Sequence, residues 1–102
     1  MPKQRTKPPS GPVNITTGTT TRHMIVADWG NGLLFDPFNP AYLYFWDEAS
    51  QSFKMESGNC EGEMVFFDDG TWEQTLLISW ENPPGVQNSH ETINTGTWET
   101  TA

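Results

Sequence analysis

Gly70-Thr71-Trp72-Glu73-Gln74-Thr75-Leu76-Leu77-Ile78-Ser79-Trp80-Glu81 alternates with a period of two. Trp72, Gln74, Leu76, Ile78 and Trp80 fall on one side, and Thr71, Glu73, Thr75, Leu77, Ser79 and Glu81 on the other. That is the pattern of an antiparallel strand with one largely apolar face. Asp68-Asp69 before it and Asn82-Pro83-Pro84-Gly85 after it are turn signals. A two-residue Asp69-Gly70 loop predicts Phe67 opposite Trp72 and Val65 opposite Gln74.

The opening of this strand recurs. Gly70-Thr71-Trp72-Glu73-Gln74-Thr75 is echoed by Gly96-Thr97-Trp98-Glu99-Thr100-Thr101, the second copy preceded by Asn94-Thr95. Glycine accepts the positive φ of a tight turn, and Thr and Trp favour a pleated, half-buried surface. Each copy therefore reads as the start of a strand leaving a turn.

Working outward, the rest of the chain also reads as hairpins. Strands are expected over 23–29, 33–35, 41–47, 53–56, 60–67, 71–81, 91–93 and 97–101, with turns at Gly30-Asn31-Gly32, Asp36-Pro37-Phe38-Asn39-Pro40, 48–52 and Ser57-Gly58-Asn59. No stretch carries helical spacing. About eight short strands with turns between them indicate an all-β fold, a small antiparallel meander barrel or sandwich.

Residues 1–22 differ from the remainder. They are rich in Pro, Thr and Gly, and they hold Lys3, Arg5, Lys7 and Arg22 with no acid. They are expected to form an extended basic arm, with residues 23–102 as the β domain. The Thr-rich part of the arm, from this or a neighbouring subunit, is a natural cover for the edge left by the last strand. Residues 23–102 hold all 13 acids and only Lys54 as a base, so the chain's net charge of −8 conceals a basic arm and a strongly acidic body. Such a body repels phosphate backbones, which argues against nucleic acid as its partner.

Other classes of chemistry find little support. Cys60 is the only cysteine, which excludes an internal disulfide and a zinc site built on paired cysteines; it reads as a structural thiol. His23 and His90 are far apart and lack a supporting ligand motif. Asp68-Asp69 serves a turn, and Glu61 and Glu63 share one strand face. No nucleophile elbow or phosphate loop occurs. No catalytic residue, metal site or cofactor is expected. Residues 1–22 contain no apolar signal-peptide core, and no run is long enough to span a membrane as a helix. The expected setting is cytoplasmic or inside a virion.

Cys60 to Thr101 resembles the C-terminal half of small lipocalin-like (calycin) barrels. There, a phrase like Phe67-Asp68-Asp69-Gly70-Thr71-Trp72 leads into a long strand, and one like Thr95-Gly96-Thr97-Trp98-Glu99 follows after a loop. The resemblance implies a closed barrel and a binding module for a small apolar or sugar ligand.

The aromatics are the remaining candidates. Trp29, Tyr42, Tyr44, Trp46, Trp72, Trp80 and Trp98 could pack a core, form a subunit interface or line a ligand site. With the charge split, they favour a structural protein that associates with copies of itself or with a larger shell, as a phage or viral particle component would, the arm contributing Lys3, Arg5, Lys7 and Arg22. The alternative is the lipocalin-like binding module.

Overall fold

The computed structural model describes residues 3–100; the side chains of residues 40–42 lie outside that description, as does Thr101 at the end of the second repeat. The described chain is all-β. Its strands are β1 (Arg5–Thr6), β2 (Gly11–Thr17), β3 (Thr20–Ala27), β4 (Leu33–Asp36), β5 (Asn39–Asp47), β6 (Ser52–Ser57), β7 (Cys60–Phe67), β8 (Thr71–Glu81) and β9 (Gln87–Thr100). From β2 to β9 each strand pairs with the next, and β2 pairs with β9, which closes an eight-stranded antiparallel barrel. The two residues of β1 add to β7 at Phe66 and Phe67.

Closure depends on the Thr-rich segment. Residues 11–22, read above as part of an arm, are β2 and the start of β3. Val13 to Thr16 pairs with Thr97 to Thr100 and covers the edge of β9 from within the same chain. Val13 and Ile15 point inward and are buried, while Asn14 between them and Thr16 and Thr17 beyond them are wetter. The reading of residues 1–22 as a separate arm therefore does not hold beyond Gly11.

The barrel is filled by large side chains. Trp46, Phe53, Phe66 and Trp98 form a chain of edge-to-face contacts, with centroids 5.0, 5.9 and 5.6 Å apart in turn. Val13, Met24, Val26, Leu34, Tyr44, Met64 and Trp72 pack around them. Each such side chain contributes about 1.5–3 kcal/mol on burial. The three inward Trp indoles all find acceptors: Trp46 Nε1 on Glu48 Oε2 at 2.6 Å, Trp72 Nε1 on the Thr16 carbonyl at 3.4 Å and Trp98 Nε1 on the Phe67 carbonyl at 3.0 Å.

Two sequence expectations change. The β7–β8 loop has three residues, not two: Gly70 N donates to the Phe67 carbonyl, and the glycine takes φ 88°. Asp69 Oδ1 accepts from both Thr71 N and Thr71 Oγ1, at 2.9 and 2.6 Å. Phe66 thus faces Trp72 and Met64 faces Gln74. A one-residue slip exchanges strand faces, so Phe66 and Met64, not Phe67 and Val65, join the Trp72 face. Asn94-Thr95 is also no turn. β9 runs unbroken from Gln87 to Thr100, because β8 pairs with it at every step from Thr71↔Thr97 to Glu81↔Gln87. The two copies of the repeat therefore meet, antiparallel, only at their first residues, with Thr71 opposite Thr97 and Trp72 opposite Gly96.

Candidate functional site

The strands distribute the seven aromatic candidates rather than gathering them. Tyr44, Trp46 and Trp72 are buried in the barrel, and Trp98 packs against that core. Trp29 is exposed in the β3–β4 turn at one end of the barrel, whereas Trp80 is exposed on the β8–β9 hairpin at the other. Tyr42 belongs to β5, and its side chain lies outside the described residues.

The basic residues contact their own barrel. Lys3 Nζ lies 4.4 Å from the centre of the Phe67 ring and 3.5 Å from Thr71 Oγ1. Arg5 Nη1 donates to the Ser50 carbonyl at 2.7 Å. Lys7 Nζ donates to the Asn31 carbonyl and sits 5.5 Å from the centre of the Trp46 ring. Pro8 is buried. Residues 3–8 thus form a strap over the end of the barrel that carries the β3–β4, β5–β6 and β7–β8 loops. Arg22 reaches the opposite end, where its Nε lies 3.9 Å from Asp36 Oδ2.

That opposite end holds a cavity of about 310 Å³, lined by Ile15, Met24, Met64, Trp72, Arg22 and Asn94 among others. Its floor is polar. Asn94 Nδ2 donates to Gln74 Oε1 at 3.1 Å, and Gln74 Nε2 donates to the Tyr44 hydroxyl at 2.6 Å. Gln74 is itself buried, so this chain of bonds satisfies an amide that would otherwise be costly inside the barrel.

The β8–β9 hairpin leaves the barrel at the same end. β7 accompanies β8 only as far as Ile78, opposite Cys60, and β2 accompanies β9 only at Thr97 to Thr100. Past Ile78 the two strands pair, among the described residues, only with each other, anchored at the base by Ser79 N on the Asn59 carbonyl at 3.0 Å. The result is a molecule of 50 × 31 × 30 Å. Ile78 at its base and Trp80 and Val86 along it are exposed; Ile93, opposite Thr75 where β7 still flanks β8, is exposed on β9 before the ribbon begins. The period-two pattern of β8 placed Ile78 and Trp80 on the apolar face. It did not show that the barrel ends before them, and Val86 and Ile93 lie in stretches without an apolar pattern.

Three surface carboxyls are held below their usual range. The Trp46 indole N–H, then Gln51, stabilises ionised Glu48. The Ser50 hydroxyl, then Lys54, does so for Asp47, and the Thr71 hydroxyl for Asp69. These are local turn contacts. Among the described residues no group of three or more His, Cys, Asp or Glu side chains is placed to hold a metal ion. Nor is there a helix long and apolar enough to cross a membrane. Comparison with known proteins finds no matching family model, no similar curated protein and no similar solved structure.

Proposed function

We propose that this protein is a non-enzymatic assembly protein that associates with copies of itself through the β8–β9 ribbon. One observation carries the reading: a two-stranded ribbon projects from the barrel with Ile78, Trp80 and Val86 exposed and, among the described residues, no strand against its outer edges. Isolated two-stranded ribbons are marginal in water, and an uncovered edge is a template for another strand. The same ribbon on a second copy offers a self-complementary partner, as a two-fold interface requires.

Light scattering over a concentration series tests this. A defined oligomer that becomes monomeric in the double variant Ile78→Ser, Trp80→Ser supports the reading. A monomer at every concentration in the unaltered chain overturns it.

The polar-floored cavity favours a second reading, a lipocalin-like module for a small ligand with both apolar and hydrogen-bonding groups. At about 310 Å³ the cavity falls at the lower end of ligand sites, the size of a single sugar ring or small aromatic. Quenching of Trp72 fluorescence by such compounds, lost on Gln74→Leu, is the expected signature. No quenching across sugars and aromatics would remove this reading.

A further inference from the structure

β5 and β6 separate on the outer wall of the barrel. Their ladder runs from Asp47↔Ser52 to Phe45↔Lys54 and is not continued at Leu43 and Glu56, although both strands go on. β6 remains paired with β7 through Ser57↔Cys60. Its other edge, over Met55 to Ser57, therefore has no strand against it among the described residues.

A groove of about 970 Å³ begins at this split and extends towards β9. Its apolar wall is Leu43, Phe45 and Leu77; its acids are Glu56, Glu61, Glu63 and Glu91. Glu56 and Glu61 are directly opposite each other on β6 and β7. The one cation in the groove, Lys54, is drawn to Asp47 at 3.2 Å. Glu63 faces Lys54 across the β6–β7 ladder and accepts from Ser52 Oγ at 2.8 Å, but among the described residues none of the four glutamates has a cation within salt-bridge distance.

An added strand on β6 would present alternate side chains to the outer surface, between Leu43 and Phe45 on one side and Glu56 and Glu61 on the other. Lys and Arg match that strip, because their aliphatic stems cover apolar surface while the charged end reaches further. The intervening side chains would face inward between Tyr44 of β5 and Met55 of β6, both buried in the core, so they must be small and apolar.

We propose that this groove binds an extended basic peptide, with Lys or Arg alternating with small apolar residues, which adds as a strand to the free edge of β6. Main-chain hydrogen bonds to β6 provide affinity, and the glutamates select the charge. This surface lies on a different part of the barrel wall from the ribbon tip and stands whether or not the ribbon self-associates.

The test is a titration of the full chain with the peptide Lys-Val-Lys-Val-Lys-Val-Lys, followed by amide NMR. The expected result is saturable one-to-one binding with shifts centred on residues 43–47 and 52–57. Glu56→Gln with Glu61→Gln should weaken it roughly fivefold, as the loss of two exposed charge pairs allows. The same peptide N-methylated at alternate residues, with its charge kept, should not bind, since the strand ladder then lacks its donors. Equal binding of the methylated peptide, indifference to the two Gln substitutions, shifts centred elsewhere, or no saturable binding would each overturn the proposal.

Discussion

Trp72 and Gly96 stand directly opposite each other on β8 and β9, and no side chain fits at residue 96. A Cβ there would lie 1.9 Å from the Thr16 carbonyl oxygen and 2.8 Å from Trp72 Nε1. The glycine is needed for close approach rather than for a turn: three strands, β2, β8 and β9, meet at this point and close the barrel. Gly70, in the other copy of the repeat, has the conformational role, at φ 88°, where a Cβ would meet only the Trp98 carbonyl oxygen at 4.0 Å.

The two glycines should therefore respond differently to alanine. Gly96→Ala forces backbone to move at the closure seam and should destabilise by about 3 kcal/mol or more. Gly70→Ala meets no clash and should cost about 1–2 kcal/mol from backbone strain alone. Urea unfolding monitored by Trp fluorescence measures both. Equal losses would show that closure does not depend on contact at residue 96.

The start of the chain can be tested by truncation. A chain beginning at His23 lacks β2 and leaves the edges of β3 and β9 open. It should lose the dispersed amide spectrum of a folded barrel. A chain beginning at Gly11 keeps every barrel strand and should fold, with reduced stability because the strap contacts of Arg5, Lys7 and Pro8 are gone. A folded chain beginning at His23 would contradict the seam.

Leu76 pairs with Gly62 on one side and Thr92 on the other. Leu76→Pro removes a donor and distorts the middle of the sheet, at a cost of about 3 kcal/mol or more. Against a typical total of about 5–15 kcal/mol, a large fraction of the chain should be unfolded at 37 °C, read by far-UV circular dichroism. A normal melting curve would place Leu76 outside the ladder.

Acid should weaken the fold through Glu48, Asp47 and Asp69. Each carboxyl is held below its usual value in the folded chain, so the unfolded chain takes up protons first as pH falls. The stabilisation is complete above the ordinary carboxylate range and is lost as pH falls below about 4 and through the lowered folded values. Glu48→Gln removes the charge that accepts from Trp46 and should flatten part of that limb. An unchanged acid limb in thermal melts of this variant would show that the contact carries no pH dependence.

Much of this architecture was legible in the residues themselves. The alternation of Trp72, Gln74, Leu76, Ile78 and Trp80, and the turns at Gly30, Gly58 and Gly70, identify strands and hairpins because period and φ are local properties. By themselves they establish an all-β meander with few, large core side chains and a charge asymmetry between its first residues and the rest. Tertiary structure decided everything that rests on pairing between distant residues. Val13–Thr16 meets Thr97–Thr100 across nearly the whole chain; the residues suggested that this stretch could cover the last strand's edge, but not whether it would do so within its own chain or on a neighbour, nor in which register. The three-residue loop at Asp68-Asp69-Gly70 chose Phe66 over Phe67 for the core, since a single extra loop residue exchanges the faces of a strand. The separation of β5 from β6 and the projection of β8 and β9 have the same origin: a strand's own pattern says which face is apolar, and only its neighbours determine where that face stops being covered.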